Sequence, residues 1–174
     1  YNAHPDYKDR DFDLSKKTVA IIGQGNVAID VCRILAKTYD ELAVSDIAHH
    51  ALEKLKDSAV EEIYLIGRRG PAQAAFTELE IRALGELEDA DPGVSDGEKD
   101  LMEKDSEGLD LPKNNKAKKN VEILKGFAQR GEGSKTKKIK IRFFEGPMEL
   151  KGADLNGKPH VESIVLGKNK LEGE

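Results

Sequence analysis

The sequence predicts a single α/β domain, in which a parallel β-sheet is flanked by helices and an antiparallel hairpin is appended. Three observations lead to this fold class. Strand-like apolar runs alternate with helical segments early in the chain, a glycine-rich turn joins the first strand to the first helix, and strand-like runs close the sequence. A length of 174 residues suits one domain with a buried core, so residues 1–174 are assigned to one unit.

The early elements follow from residue periodicity. Residues 18–23 (TVAIIG) are a short β-branched run, which predicts a buried strand. Residues 26–39 carry apolar side chains at helical spacing, and residues 46–58 predict a second helix with Asp46 near its start. Residues 61–67 (EEIYLIG) predict the second strand.

The middle of the chain is less regular. Residues 72–87 predict a third helix, preceded by a proline that suits a first helical turn. Residues 88–119 are polar and marked by glycine and proline, so we expect an irregular excursion with 88–117 as an insertion. Residues 120–130 predict a further helix.

The last part predicts the hairpin. Residues 138–146 (KIKIRFFEG) and 161–167 (VESIVLG) have the β-branched and aromatic content of strands. Asn156-Gly157 between them is a dipeptide typical of tight hairpin turns.

Composition and charge exclude several classes of protein. A net charge of −5 argues against nucleic acid as the main partner, and no apolar run is long enough for a membrane span. The single cysteine, Cys32, excludes an internal disulfide. The first residue is not methionine and no signal peptide is present, so we expect a piece of a longer protein.

Charge is distributed unevenly along the chain. Residues 78–110 contain 13 acidic and 3 basic side chains, which we interpret as solvated surface. Residues 111–140 contain 10 basic and 2 acidic side chains, so this stretch is a candidate surface for an acidic partner.

The turn after the first strand has the pattern of a dinucleotide site. Gly23 allows a tight turn, Gly25 lets a pyrophosphate approach the backbone, and Ala28 is small enough for close packing of helix and strand. The first helical turn then points its N–H groups at the anion. Because this G-x-G-x-x-A lies between a strand and a helix, it favours a Rossmann-like site over an ordinary turn.

Two arginines at the end of the second strand indicate which dinucleotide is bound. NAD sites place an acid near this point, and counting about 20 residues from the glycines reaches Asp46, which no convincing strand precedes. Arg68 and Arg69 follow the strand IYLIG instead. Guanidinium groups bind a 2′-phosphate with charge-assisted hydrogen bonds, so the sequence favours NADP(H).

These motifs resemble the adrenodoxin reductase type of ferredoxin–NADP+ reductase. The resemblance rests on GQGNVAIDVCRIL, SDIAHHALEKL, IGRRGPAQAAFTELEIRAL and IRFFEGP, in that order, and fades over 88–117. The family is a two-domain flavoenzyme whose FAD domain is made from chain on both sides of an inserted NADP domain. The resemblance implies that this sequence is the NADP domain alone, with FAD bound outside it and no activity without the FAD domain.

The resemblance also implies roles for individual residues. Gln24, Gly25, Asn26 and Val27 would line the pyrophosphate and adjoining ribose, next to Gly23. Arg68 and Arg69 would hold the 2′-phosphate. Glu80 would contact the cofactor. Asp30 would face the nicotinamide side of the cofactor, or it is plain surface.

The resemblance also implies a protein partner, an adrenodoxin-like [2Fe-2S] ferredoxin. Three lysines would present positive charge to it, or they belong to a solvated helix start: Lys118, Lys119 and Lys125.

No other chemistry is indicated. His49 and His50 are adjacent and point in different directions on a helix, so they make a poor metal pair. We assign no catalytic residue and no metal ligand to the chain. The family's eukaryotic members imply a mitochondrial location, and its bacterial members a cytoplasmic one. Two alternatives stay open: the NADPH domain of a glutamate-synthase-like reductase, and a non-enzymatic NADP-sensing module.

Overall fold

The computed structural model describes residues 4–7, 10, 12–95, 98, 115–131, 133–155 and 157–170. The elements of these residues, in chain order, are β1 (Thr18–Ile22), α1 (Asn26–Ala36), α2 (Tyr39–Ala43), α3 (His49–Lys56), β2 (Glu62–Ile66), a 3-10 turn (Pro71–Gln73), α4 (Glu78–Leu84), β3 (Ala90–Val94), α5 (Asn115–Arg130), β4 (Lys137–Arg142), β5 (Glu145–Leu155) and β6 (Lys158–Lys168).

The main sheet is parallel, as the sequence predicts. Its strand order is β1-β2-β4-β3, and β5 and β6 form a separate antiparallel pair. The register aligns Ile21 with Leu65, Leu65 with Ile141, and Ile141 with Val94, so one apolar row crosses all four strands. The predicted fold class is confirmed.

The two faces of the sheet differ in chemistry. On one face, Ile63, Leu65 and Ile139 are buried under α1, α4 and α5, and they belong to the hydrophobic core. The other face carries charged side chains from the alternate positions of the same strands. Lys140 Nζ lies 2.7 Å from Glu62 Oε1, and Lys138 Nζ lies 3.1 Å from Asp91 Oδ2. Strands of parallel sheets are commonly apolar on both faces, and here one face is ionic instead.

The predicted third helix, 72–87, is divided. Pro71–Gln73 form a 3-10 turn, Ala74 is extended, and α4 begins only at Glu78. The N–H groups of Ala75 and Phe76 both donate to the carbonyl of Gln24. Tertiary hydrogen bonds to the turn after β1 therefore replace the helical ones over this stretch.

The expectation of an irregular excursion is wrong for residues 90–94, which form β3, and for residues 115–119, which form the first turns of α5. This strand (ADPGV) contains residue types that are depleted in strands, so its sequence gives little signal. Its parallel pairing with β4 and the burial of Ala90 and Val94 decide its conformation. Residues 96–97 and 99–114 of the expected insertion lie outside the described residues.

Several other helices and strands begin or end at residues that differ from the predicted ones. The first helix ends at Ala36 because Lys37 is extended, and the helix expected at 46–58 runs from His49 to Lys56, with Asp46 in the preceding turn. The strand expected at 138–146 is broken after Arg142, and the hairpin strands are longer than expected. Gly157 has φ +77° in the hairpin turn, and Asn156 lies outside the described residues.

Candidate functional site

A cavity of about 700 Å³ opens at the carboxyl ends of β1 and β2. The turns after both strands line it: Gly23, Gln24 and Gly25 from the first, Arg68 and Arg69 from the second. Ligands of parallel α/β sheets bind at this edge. The structure thus brings together two motifs that are more than 40 positions apart in the sequence.

The two glycines of the first turn are needed for different reasons. Gly23 has φ +133°, which side-chain-bearing residues rarely adopt, so the backbone requires a glycine there. Gly25 has φ −108°, which any residue adopts, and a Cβ added there would meet no atom within 4 Å. The fold itself does not require glycine at position 25. The open space beside Gly25 fits a ligand group that comes close to the backbone.

The N-terminus of α1 lies at this open space. Gly25 is the N-cap residue, no side chain caps the helix, and its first turn contains no acidic residue. The N–H groups of a helix N-terminus and the helix dipole attract anions. A diphosphate therefore fits the turn between β1 and α1.

Gln24 is an internal tether as well as a lining residue. It is buried, and its Nε2 donates to the carbonyl of Arg142 at 2.8 Å, which fixes the turn to β4. The same carbonyl accepts the N–H of Gly67 at 2.9 Å. A Cβ at Gly67 would overlap the side-chain amide of Gln24, so glycine at 67 makes room for this tether.

Arg68 and Arg69 are exposed at the mouth of the cavity. An anion from solvent can therefore reach them. The base of the hairpin stands opposite them, because Glu145, Gly146 and Met148 line the same cavity.

The candidate acids lie beside the cavity, outside its lining residues. Arg33 Nη1 is 3.0 Å from Glu80 Oε2 and 3.4 Å from Asp30 Oδ1, so one guanidinium joins both carboxylates across the contact of α1 and α4. Asn26 Oδ1 accepts the N–H of Thr77 at 2.8 Å, and Val27 is 78% exposed. The cofactor roles of these four residues stay predictions.

The wall of the cavity includes residues that the motif analysis did not assign to the site. They come from the extended segment before α4 and from both ends of the hairpin: Gln73, Ala74, Ala75, Glu145, Gly146, Pro147, Met148 and Asn169. The quoted motifs contain most of them, but their spacing in the sequence gives no sign that they face the glycine turn. Asn169 lies outside every motif, and only the path of the chain brings it to the cavity.

A buried ionic group supports the cavity from behind. Arg142 Nη2 is 2.6 Å from Glu145 Oε1, and Glu98 Oε1 accepts the N–H of Phe143 at 2.7 Å. Burial raises the pKa of the Glu98 carboxyl above its usual range, although the hydrogen bond from Phe143 opposes this shift. Glu98 and Arg142 hold β4 at the point where Gln24 is tethered.

The candidate partner lysines lie on α5. Lys119 Nζ is 3.0 Å from Glu78 Oε2, and Lys119 and Arg82 together hold the pKa of the Glu78 carboxyl below its usual range. Lys118 is exposed and Lys125 is half-buried. The three lysines therefore differ in accessibility, and their partner role stays a prediction.

The described residues offer neither a cluster of metal ligands nor a membrane-spanning helix. Within the described ranges, no group of three or more His, Cys, Asp or Glu side chains is placed to hold a metal ion. No helix in the part of the chain that the structure describes is both long and apolar enough to cross a membrane.

Cys32 is a buried residue of the core. Burial raises the pKa of its thiol to about 12, so this side chain is protonated.

The fold and the cavity define a Rossmann-like nucleotide-binding domain, and comparison with known proteins places it further. No family model matches the chain. NADPH-ferredoxin reductase FprA of Mycobacterium tuberculosis (strain H37Rv) is 41% identical over 172 residues, which are 98% of this chain and 36% of that protein. The mitochondrial NADPH:adrenodoxin oxidoreductase of Arabidopsis thaliana is 38% identical over 178 residues, covering 99% of this chain and 36% of that protein.

The comparison with solved structures identifies the same family of relatives. The structure of Mycobacterium tuberculosis FprA in complex with NADPH matches this chain with a TM-score of 0.85 and 40% identity, covering 100% of this chain and 36% of that one. The chain is a homologue of adrenodoxin reductase-type ferredoxin–NADP+ reductases, as its motifs predict. It spans about 36% of the length of the relatives it matches.

Proposed function

We propose that this chain binds NADP(H) and acts as the NADP(H)-binding domain of a flavin-dependent NADPH:ferredoxin reductase. The observation that carries the proposal is that one cavity is lined by the glycine turn after β1 and by Arg68 and Arg69 after β2. The first suits a diphosphate and the second suits a ribose phosphate, which are the two anionic groups of NADP(H).

The chain's own residues bind and orient the cofactor. The first turn of α1 would hold the pyrophosphate next to Gly25, while the two arginines would hold the 2′-phosphate. Asp30 would lie toward the nicotinamide half, and Glu80, joined to Asp30 by Arg33, would contact the cofactor. When all parts are bound, NADPH supplies a hydride to FAD, which we place outside this chain, and FAD supplies single electrons to a ferredoxin.

The named relatives support this proposal over the two alternatives, because both are reductases of ferredoxin or adrenodoxin. We place the protein in mitochondria if its source is eukaryotic and in the cytoplasm if it is bacterial.

The first experiment is calorimetric titration of the purified chain with NADP+ and with NAD+, together with an absorption spectrum. We expect a colourless protein that binds NADP+ more tightly than NAD+ and does not oxidise NADPH with ferricyanide. Equal or weaker binding of NADP+ would contradict the proposed cofactor. A yellow preparation with a flavin band would contradict the location of FAD outside the chain.

We further propose that α5 contributes to ferredoxin docking. Lys118 and Lys119 lie on the exposed side of this helix, close to the start of a strongly basic stretch. Charge complementarity mainly accelerates association, so its loss should slow the reaction with an acidic protein.

The test is Lys118→Glu/Lys119→Glu in a protein that also contains the flavin-binding part. We expect ferredoxin reduction at low ionic strength to become several-fold slower, with a flatter dependence on salt. Lys151→Glu, an exposed charge reversal on β5, is the matched control and should change little. Wild-type kinetics of the double variant at low salt would remove α5 from the docking surface.

A further inference from the structure

The backbone of the arginine turn is held by its carbonyl groups. The carbonyl of Gly67 accepts the N–H of Glu145 at 3.0 Å, and that of Arg69 accepts the N–H of Phe144 at 3.2 Å. Between them, the carbonyl of Arg68 accepts Nδ2 of Asn169 at 3.2 Å. Three consecutive carbonyls are thus bonded to residues more than 70 positions away, and the middle bond is made by a side chain.

Asn169 is itself fixed to the start of the hairpin. Its backbone N–H donates to the carbonyl of Phe144 at 2.6 Å. Phe144 has φ +54°, which bulky residues rarely adopt, and it packs against the hydrophobic core. This conformation lets Phe144 bond the arginine turn through its N–H and Asn169 through its carbonyl. Backbone strain of this kind is typical of functional sites.

The space around the Asn169 amide is narrow and adjoins the cavity. A Cβ at Gly146 would lie 3.4 Å from Asn169 Nδ2 and 3.8 Å from Arg68 Cβ. Asn169 lines the cavity together with both arginines, although it is 100 positions away from them. Its amide thus binds the main chain of Arg68 at the wall of the cavity.

We propose that Asn169 is a positioning residue that orients Arg68 for recognition of the 2′-phosphate, and so sets the preference for NADP(H) over NAD(H). This inference rests on the proposed function. Binding of a ligand by an exposed loop includes the cost of ordering the loop backbone, and a main chain that is fixed beforehand avoids this part of the cost. Asn169 acts through Arg68, so its contribution appears only with a cofactor that carries the phosphate.

The test is calorimetric titration of the full chain with NADP+ and NAD+ after Asn169→Leu, which keeps the size of the side chain but removes the donor. We expect NADP+ binding to weaken by about threefold to tenfold, the usual range for one hydrogen bond, and NAD+ binding to stay the same. Asn169→Gln keeps an amide donor, so this variant should retain part of the preference for NADP+ over NAD+. Ser163→Ala removes another exposed polar group of the same hairpin and is the matched control.

The double variant Arg68→Ala/Asn169→Leu separates positioning from direct contact. If Asn169 acts through Arg68, adding Asn169→Leu to Arg68→Ala should cause no further loss of NADP+ binding. A further loss in that background would mean that Asn169 binds the cofactor itself and would overturn the positioning role.

The remaining outcomes distinguish this inference from the proposed function. If the wild-type chain shows no preference for NADP+, the proposed function fails. If wild type and Arg68→Ala behave as proposed but Asn169→Leu keeps the wild-type ratio of NADP+ to NAD+ affinity, only this inference is overturned. An equal loss for both cofactors would assign Asn169 a general structural role. Asn169→Ala gives the same comparison if thermal unfolding shows that Asn169→Leu does not fold.

Discussion

The turns after β1 and β2 line the same cavity, but they are held in place in different ways. The backbone of the turn after β1 takes its conformation from its own residues, since Gly23 supplies a positive φ and Gly25 is the N-cap residue of the helix that follows. Gln24 then ties this turn to β4 and to the segment before α4. The turn after β2 is shaped by distant residues, since Glu145, Phe144 and Asn169 bond its carbonyls. A motif can therefore predict the backbone conformation of the first turn, while it predicts only the charges of the second.

The difference also separates the two roles that glycine has in these turns. At position 25 a side chain would meet no protein atom, whereas at position 67 it would overlap the amide of Gln24. Gly67 is thus required by the fold, whereas the fold does not require glycine at position 25, in agreement with the proposed pyrophosphate site. Substitutions at the glycines and at the arginines test this comparison, and they follow in order of their expected effect on cofactor binding.

Gly25→Val should have the largest effect. The backbone at φ −108° accepts valine and the added atoms meet open space, so we expect thermal unfolding close to that of the wild type. The side chain would occupy the position of the pyrophosphate, which NADP+ and NAD+ share. Calorimetric titration should therefore detect no binding of NADP+ and no binding of NAD+. A variant that folds and still binds NADP+ as tightly as wild type would disprove the phosphate position.

Arg68→Ala and Arg69→Ala should affect one cofactor only. Each charge-assisted hydrogen bond contributes roughly 1.5–3 kcal/mol, so NADP+ binding should weaken by roughly tenfold to a hundredfold. NAD+ has no phosphate at this position, and its affinity should stay the same.

Solution conditions provide a second check on the arginines. The preference of the wild type for NADP+ should decrease with added salt, because the arginines are exposed. It should also decrease as the pH falls through about 6, where a phosphate monoester takes up a proton. If neither arginine variant changes the ratio of the two affinities, these arginines are surface charge and the cofactor assignment fails.

Gly67→Ala should have the smallest effect on cofactor choice. Its Cβ would displace Gln24 from the carbonyl of Arg142, and overpacking of this kind costs about 1–3 kcal/mol of unfolding free energy. The ratio of NADP+ to NAD+ affinity should remain near that of the wild type, because the arginines keep their charge.

Gly67→Ala can also be made in a Gln24→Ala variant, to test whether its cost depends on the Gln24 side chain. Without the amide there is no overlap, so Gly67→Ala should cost much less in Gln24→Ala than in the wild type, as measured by chemical denaturation. Additive costs of the two substitutions would show that Gly67 is not coupled to Gln24.

The elements that were predicted well are those whose signal is local. The first strand and helix were predicted because β-branched residues, a glycine turn and helical spacing follow one another within 20 positions. β3 was missed because Asp91, Pro92 and Gly93 have no strand signal of their own, and pairing with β4 determines their conformation. The alanines of the segment 74–77 favour a helix, whereas the hydrogen bonds of Ala75 and Phe76 to Gln24 keep this segment out of one.

The sequence by itself determined the parallel α/β class, the glycine turn after β1 and the positive charge at the end of β2. These features depend on neighbouring residues, and short-range sterics and hydrogen bonding settle them. The tertiary structure alone decided that the glycine turn, the arginines and the hairpin base face one cavity, that Arg33 joins Asp30 to Glu80, and that Asn169 reaches Arg68. Such contacts join residues up to about 100 positions apart, and they form only when the burial of the shared core brings the strands and helices together.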